Sequence, residues 1–281
     1  MKKLERRARD PETGKLMTVP GNMTYQEWYE KYVGADVQII DVGNMDYMSN
    51  SIRLKYDKDI SNITIGSLNI PTHKVNNSEF TIFVETSEKF KSPAARLTVK
   101  NLRAVKNMLP KEFDIPDVVV VDFEKYGLNK TTDAYGNIIE QDVIAGHDPK
   151  TGILFFNSKY NSQRKILEYV TRIPKQFANQ TVYAPYLHEL GHKYYEDCVK
   201  ALAKSENMEY NKAKSILNHR IAEYIYRKDD SGFILSENIS RYAFDNLIKN
   251  NFTDIIAESF AVRKENMFAS ELISAMNGEL L

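Results

Sequence analysis

Short runs of β-branched and aromatic residues, bounded by polar clusters, characterise the first half of the chain. The runs at Val37 to Ile40, Phe80 to Val84 and Val118 to Val121 are typical of strands. The last run is apolar at every position, which predicts a strand covered on both faces. A helical pattern at Ser92 to Met108, ended by Pro110, separates the second run from the third. The order strand, helix, strand predicts an α/β lobe.

Two further strands are predicted just before the chain turns helical. Ile138 to Ala145 and Ile153 to Asn157 have strand composition, and Asp148 to Gly152 between them has the composition of a turn. We expect one of the two strands to be a sheet edge, to which an extended peptide could add through main-chain hydrogen bonds. An ordinary hairpin in the core is the alternative that the residues leave open.

The pattern is helical from Pro174 to the end of the chain. One helix is predicted to begin within Thr181–Pro185, because proline is accepted in a first turn, and to end near Ser205. Further helices are predicted at Tyr210 to Tyr226 and within Asn251 to Ala261. Strands followed by helices predict an α+β fold, with a mixed sheet in an N-terminal lobe and a helical C-terminal lobe.

Length, composition and charge narrow the class of protein. The 281 residues are 42% hydrophobic and 27% charged, which is ordinary for a globular chain with a sizeable core. The 38 basic residues balance 38 acidic ones, so nucleic acid is not expected as an obligate partner. The one cysteine, Cys198, cannot form an internal disulfide and is expected to be a buried structural thiol. With no membrane span and no secretory signal in the sequence, we expect a soluble protein made in a cytoplasm.

The strongest chemical signal is the segment His188-Glu189-Leu190-Gly191-His192, which has the HExxH pattern of zinc peptidases. Residues four apart share one face of a helix, so the imidazoles of His188 and His192 can bind one Zn²⁺ ion. Glu189 beside them could take a proton from a water molecule whose pKa the metal lowers. An exposed helix that carries these residues by accident is the alternative.

Two carboxylates in the last predicted helix, Asp254 and Glu258, are the candidates for a third ligand. Their spacing puts both on one face of the helix. A zinc site needs such a pair if one acid binds the metal and the other orients a ligand histidine. Their apolar neighbours favour a buried position over a solvated charged face. The remaining histidines have no ligand spacing and are expected to be packing or surface residues: His73, His147 and His219.

With these residues together, the chain resembles the gluzincin metallopeptidases, most closely the catalytic domain of the anthrax lethal factor type. The family carries an "ExFFAEAF" helix, to which Asp254 to Phe260 corresponds here. The resemblance implies a zincin-like fold, a Zn²⁺ cofactor and a protein or peptide substrate, with Asp254 on the metal and Glu258 supporting a histidine. Aspartate stands where the family has the longer glutamate, so Glu258 remains a candidate for the metal.

The resemblance also implies a tyrosine that stabilises the oxyanion. The segment Ile239-Ser240-Arg241-Tyr242-Ala243 is similar to the "ISxYA" lead-in of the family, which makes Tyr242 the candidate. Tyr242 precedes Asp254 by twelve residues, more than the usual spacing of the family. Other tyrosines that could serve as the donor are Tyr194, Tyr195 and Tyr210.

The N-terminal segment resembles a second family. Asp10 to Lys15, Val19-Pro20 and Thr24 to Val33 follow the "DPxTGK…VP…TYxEWYxKYV" wording at the end of Mu-type phage minor head (MuF) proteins. This resemblance implies a phage or prophage gene, phage head or portal proteins as partners, and a place in the bacterial cytoplasm or the virion. A plain aromatic docking helix at Thr24 to Val33 is the alternative.

Taken together, the sequence predicts an extension at residues 1–34 and a zincin-like peptidase domain at 35–281, with lobes at about 35–175 and 176–281. The predicted function is zinc-dependent endopeptidase, either a toxin-like effector or a head-associated protease. One alternative is a zincin-fold virion or interaction protein that is catalytically silent. Another is a protease acting near DNA, like the SprT type, against which the neutral charge and the lack of a cysteine-rich zinc ribbon count.

Overall fold

The computed structural model describes residues 6–9, 16–19, 54–76, 79–86, 91–132 and 136–279. The chain divides into two compact units, Met1–Ser51 and Ile52–Leu281. In the first unit, β1 (Arg6–Arg9) pairs antiparallel with β2 (Leu16–Val19). Several predicted features lie outside the described residues: the turn at 10–15, the helix at 24–33, the domain boundary after residue 34 and the strand at 37–40.

The described residues of the second unit include eight strands. They are β3 (Lys55–Ile65), β4 (Leu68–Asn76), β5 (Ile82–Glu85), β6 (Val118–Val121), β7 (Lys130–Thr132), β8 (Ile138–Glu140), β9 (Ala145–His147) and β10 (Leu154–Asn157). Six of them form a mixed sheet in the order β3-β4-β5-β6-β10-β9, while β7 and β8 pair with each other. The neighbours β5, β6 and β10 run parallel, and the other pairs are antiparallel. This order leaves β9 at one edge of the mixed sheet.

The predicted strand, helix, strand unit is present and positions the centre of the sheet. Helix α1 (Lys91–Lys106) connects β5 to β6 and packs against both strands. All four residues of β6 are buried, as its continuously apolar sequence predicts. The sheet is therefore covered on both faces at this point, and its far edge, β9, remains available to build a cleft.

Eight further helices follow β6 in the described chain: α2 (Phe123–Tyr126), α3 (Gln163–Val170), α4 (Ala184–Ser205), α5 (Tyr210–Lys228), α6 (Ile234–Asn238), α7 (Arg241–Ile248), α8 (Phe252–Val262) and α9 (Met267–Asn277). The helices predicted from residues 181, 210 and 251 are confirmed as α4, α5 and α8. Pro185 lies in the first turn of α4, as expected. Within the described residues, no helix combines the length and the apolar character needed to cross a membrane. The fold is α+β, as predicted.

The helices of the C-terminal part share one apolar core. Tyr195 of α4, Ile221 of α5, Ile255 of α8 and Leu272 of α9 are all fully buried in it. Each of these residues belongs to a set of apolar residues at helical spacing on its own helix. Each helix therefore packs one apolar face into the shared core. The core fixes α8 against α4, which are the two helices that carry the candidate ligands.

The predicted strand at Ile138 to Ala145 is wrong in its extent. Residues 138–140 form β8 in the separate two-stranded sheet, where Ile138 and Ile139 are 73% and 43% exposed. Asp142 then leaves the strand conformation and forms ion pairs with Lys159 and Arg172. The chain joins the mixed sheet only at Ala145, the first residue of β9. The composition of Ile138 to Ala145 predicted one continuous strand, but residues 138–140 pair with β7, and Asp142 forms its ion pairs with residues farther along the chain.

Candidate metal centre

Helix α4 presents His188 and His192 on one face, one turn apart. Their Nε2 atoms lie 3.1 Å from each other, and each side chain is 15% exposed. At this separation the two imidazole nitrogens are within hydrogen-bond distance of each other and point towards one place in the cleft. The spacing expected from the HExxH pattern therefore produces two side chains able to share an ion.

Asp254, in the first turn of α8, completes a triangle of ligand atoms. Its Oδ1 lies 3.3 Å from Nε2 of His188 and 3.5 Å from Nε2 of His192. In tetrahedral zinc sites with bonds of about 2.0–2.2 Å, ligand atoms lie roughly 3.3–3.6 Å apart. The separations of 3.3 and 3.5 Å fall within this range, and the 3.1 Å between the two histidines is slightly shorter, so this donor set fits a zinc ion. His188, His192 and Asp254 together could hold a metal ion.

Glu258 lies behind His188 rather than beside this triangle. Its Oε1 is 2.8 Å from Nδ1 of His188, the ring nitrogen that faces away from Asp254. Its Oε2 accepts hydrogen bonds from the main-chain N–H of Ala178 at 2.6 Å and from Oγ of Ser240 at 2.8 Å. Both carboxylate oxygens of Glu258 are thus occupied, and the geometry favours Asp254 over Glu258 as the third ligand.

A close approach between α4 and α8 brings the ligands within reach of each other. A Cβ atom added to Gly191 would lie 2.6 Å from Cα and 2.9 Å from the carbonyl oxygen of Ala257. No side chain fits between the two backbones at this point, so glycine inside the HExxH segment allows the helices to touch. Asp254 precedes Ala257 by three residues, and Glu258 follows it directly. The contact of Gly191 with Ala257 therefore sets how near both acids come to His188.

Glu189 lies in the cleft next to the ligand triangle. The residue is 6% exposed and lines two adjoining cavities together with His188. Burial raises the pKa of its carboxyl above the ordinary value, although the neighbouring His192 and His188 oppose the shift. Within the described chain, no hydrogen bond occupies the carboxylate, so it is free to exchange a proton with a molecule in the cleft.

Tyr242 of α7 reaches the same point in spite of its unusual spacing in the sequence. Its Oη donates to Oδ1 of Asp254 at 3.1 Å, and its ring lies edge-on to His188 with centroids 5.9 Å apart. Burial and the charge of Asp254 raise the pKa of its phenol, so the hydroxyl stays protonated as a donor. Asn251 donates to the other oxygen, Oδ2, of Asp254.

The three alternative tyrosines have other partners. Tyr195 donates to Oδ1 of Asn218 at 2.5 Å, and Tyr194 stacks on Phe260. Tyr210 lines the cleft, but its hydroxyl donates to Oε2 of Glu196. Tyr242 is therefore the tyrosine among these four whose hydroxyl contacts a candidate ligand.

The ligand cluster is strongly coupled in the metal-free protein. Burial disfavours a charged His188, but the hydrogen bonds that its ring donates to the carboxylates of Asp254 and Glu258 outweigh burial and raise the pKa of His188 well above 6.5. Burial likewise opposes the charge of Asp254, yet the two histidines hold the pKa of Asp254 well below its ordinary value. A proton on His188 thus occupies the site that a cation would otherwise take.

Two cavities meet at the cluster along strand β9. One, of about 250 Å³, has mainly apolar walls that include Val143, Tyr169 and Phe177. The other, of about 620 Å³, is more open and includes His147 and His192. Ala145, His188, Glu189 and Tyr242 border both cavities. They form one cleft along β9, the edge strand of the mixed sheet. The edge was predicted at Ile138 to Ala145 or Ile153 to Asn157, and the observed edge strand shares only Ala145 with the first of these.

Sequence reasoning missed three residues of this region. His147, at the end of β9, stacks on His192 with ring centroids 6.2 Å apart and planes 7° from parallel. Burial and then the charge of His192 lower the pKa of His147 to about 4, so the ring is neutral at pH 7. The predicted edge strand ends beside His147 and could have pointed to it. Ser240 lies in the ISxYA-like segment but was given no role, because its contact with Glu258 depends on the packing of distant residues. Asn251 contacts Asp254 three residues along the chain, and no motif marked it.

The remaining histidines and the cysteine lie apart from the cluster. Nδ1 of His73 bonds to the carbonyl oxygen of Asp57 on the strand hairpin, and His219 is exposed on α5. Cys198 is half-buried, and burial raises the pKa of its thiol to about 11.

Comparison of the chain with protein-family models, with curated proteins and with solved structures found no match. The case for a function therefore rests on the cluster and the cleft.

Proposed function

We propose that this protein is a zinc-dependent endopeptidase with a zincin-like fold. The observation that carries the proposal is the convergence of His188, His192 and Asp254, with Glu189 beside them, in a cleft along a sheet edge. The neutral net charge gives no support to a protease that acts on DNA-bound substrates. The gluzincin resemblance of the HExxH segment and of the Asp254 to Phe260 helix points the same way.

Each residue has a role that follows from its contacts. His188, His192 and Asp254 would hold Zn²⁺, and Glu258 would keep the His188 ring in place through Nδ1. A zinc ion bound there would polarise the substrate carbonyl and make water a stronger acid. Glu189 would take the proton of the attacking water and deliver it to the departing amine. Tyr242 would donate its phenol hydrogen to the developing oxyanion.

The edge strand β9 supplies the means to hold an extended chain. Its outer side faces away from β10, so its main-chain groups can pair with a substrate strand. Such pairing is independent of side chains and suits a peptide or an unfolded protein segment. The substrate would then lie across Glu189 between the two cavities.

The resemblance of the N-terminal segment to MuF proteins extends this proposal to the origin of the protein and to the place where it acts. We infer a phage- or prophage-encoded enzyme, either a toxin-like effector or a head-associated protease, that meets its target in the bacterial cytoplasm or the virion. Incubating the protein with purified phage head and portal proteins, and separately with a host lysate, tests this by the appearance of discrete cleavage products. If neither mixture gives cleavage products, the proposed phage or prophage role is contradicted, while the peptidase proposal stays intact.

Metal content and proteolysis together test the peptidase proposal. We expect one zinc per chain in the wild type and in the control His219→Ala, and none in His188→Ala or Asp254→Ala. Glu189→Gln should keep its zinc and lose cleavage of an unfolded protein substrate. Zinc retention without cleavage in the wild type would favour the silent zincin-fold protein instead. Absence of zinc from the wild type after reconstitution would remove the basis of the proposal.

A further inference from the structure

The more open cavity of about 620 Å³, hereafter the lysine groove, carries positive charge on three of its walls. Lys150 follows β9, Lys200 lies on α4 and Lys214 lies on α5. Lys200 lies about two turns beyond His192 on α4, and both residues line the groove. The groove is therefore continuous with the candidate metal centre.

These lysines lack partners of opposite charge. In the part of the chain that the structure describes, none of the three forms an ion pair, and Nζ of Lys214 lies 5.9 Å from the ring centroid of Tyr195. Neighbouring Lys193 differs, because it is paired with Asp197. Three unpaired ammonium groups around one concavity produce a local positive potential.

Three carboxylates also line the groove, those of Glu189, Glu196 and Asp254, and all three residues are buried. Glu196 is 5% exposed and accepts the hydrogen bond of Tyr210. Asp254 contacts both ligand histidines and two further donors. Asp148, behind Lys150, is buried and accepts from the main-chain N–H groups of Gly66 and Lys150. These acids keep their charges but are buried, whereas Lys150 and Lys200 are exposed, so a ligand that enters the groove meets the ammonium groups first.

We propose that the lysine groove binds an acidic segment of the peptide substrate. That the bound peptide is also cleaved rests on the proposed function. Its binding depends only on the groove. The cavity of about 250 Å³ on the other side of Glu189 has mainly apolar walls. A preferred substrate thus carries aspartate or glutamate on one side of the scissile bond and an apolar side chain on the other.

Binding of labelled peptides to the full chain carrying Glu189→Gln tests the groove without cleavage. The probes are an unstructured peptide rich in glutamate, the same peptide with glutamines, and the same peptide with lysines. Fluorescence anisotropy should show the glutamate peptide binding about tenfold more tightly than the glutamine peptide at low salt, and this advantage should fall at high salt. Equal affinities for the three peptides would overturn the proposal.

Two matched charge reversals locate the effect. Lys200→Glu with Lys214→Glu should remove the preference for the glutamate peptide, because two attractions become repulsions. Lys111→Glu with Lys212→Glu makes the same charge change at two exposed lysines that do not line the groove, and should leave the preference intact. If the reversal in the groove impairs folding, Lys200→Gln with Lys214→Gln gives the same test by charge removal. A preference that survives in the groove variants, or is lost in the control, would contradict the assignment.

The failure of this inference and the failure of the proposed function have different signatures. Cleavage that depends on zinc but shows no preference for acidic peptides overturns the inference alone. A preference for acidic peptides that persists in a protein without zinc or cleavage overturns the peptidase proposal and leaves the groove as a peptide-binding site.

Discussion

Nδ1 of His188 lies 2.8 Å from Oε1 of Glu258, and the second oxygen of Glu258 is held by Ser240 and by the main chain at Ala178. This arrangement fixes the rotation of the His188 ring and leaves Nε2 facing Asp254. A carboxylate that orients a ligand in this way also raises the electron density on the ring. Glu258 thus positions His188 without belonging to the triangle of candidate ligands.

Replacing Glu258 with glutamine should weaken zinc binding without abolishing it. The amide keeps the size of the side chain but removes its charge, and loss of such a partner typically costs about 10- to 100-fold in metal affinity. Competition with a chromogenic chelator measures the change. Asp254→Ala serves as the comparison, since it should lose binding altogether. Complete loss in Glu258→Gln together with normal binding in Asp254→Ala would reverse the assignment of the two acids.

Gly191→Ala should destabilise the fold and damage the metal site together. Alanine in a helix normally stabilises it relative to glycine, but here the added Cβ would lie 2.6 Å from Cα of Ala257. Separating α4 from α8 should lower the free energy of unfolding by about 2 kcal/mol, a typical cost of overpacking. Urea denaturation of the variant, with exposed Lys204→Ala on the same helix as the control, measures the effect. An unchanged or increased stability would show that the two backbones do not meet there.

Tyr242→Phe should slow the reaction while keeping the metal. Removing a hydrogen-bond donor to the oxyanion commonly lowers kcat by about 100-fold or more, and the phenylalanine ring preserves the packing against His188. Steady-state kinetics should show the loss in kcat with little change in KM. Tyr194→Phe removes a hydroxyl that bonds to Asn277 instead, and its kcat should stay near the wild-type value. Equal effects of the two substitutions would remove the catalytic role of Tyr242.

The stability of the metal-free protein should fall as the pH rises. The pKa of folded His188 is raised well above the ordinary 6.5 by Asp254 and Glu258, in spite of burial. Its charged form therefore contributes stability that is fully present below pH 6.5 and is lost as the pH rises through the raised pKa. Thermal unfolding of chelator-treated protein from pH 6 upward should show this decline. His188→Gln should flatten it, whereas the exposed His219→Gln should not.

Zinc affinity should change with pH in the opposite direction. The ion must displace the proton from His188, so its apparent affinity should increase as the pH rises, and protons should be released on binding. Calorimetry in two buffers of different ionisation enthalpy measures the number of protons. Binding without proton release at pH 6.5 would contradict the protonated state of His188.

Local spacing was sufficient to predict much of this protein. The pattern of apolar residues predicted β5, α1, β6, α4, α5 and α8. It could do so because the repeat of side chains along a helix or a strand depends on residues that are close in the sequence. The four-residue spacing in α4 and in α8 likewise placed His188 with His192, and Asp254 with Glu258, on single helix faces. Where a contact depends on a fixed helical repeat, the sequence alone determines it.

The tertiary structure decided what happens between elements. Whether Asp254 or Glu258 faces the histidines depends on how α8 is rotated against α4, and the contact of Gly191 with Ala257 sets that rotation. The position of Tyr242 depends on the path from α7 to α8, so its distance in sequence from Asp254 was a poor guide. Ile138 to Ala145 does not form one continuous strand: residues 138–140 pair with β7, and Asp142 forms ion pairs with residues farther along the chain. Ligand identity, cleft shape and the charge of the lysine groove arise from such long-range packing, which no local pattern encodes.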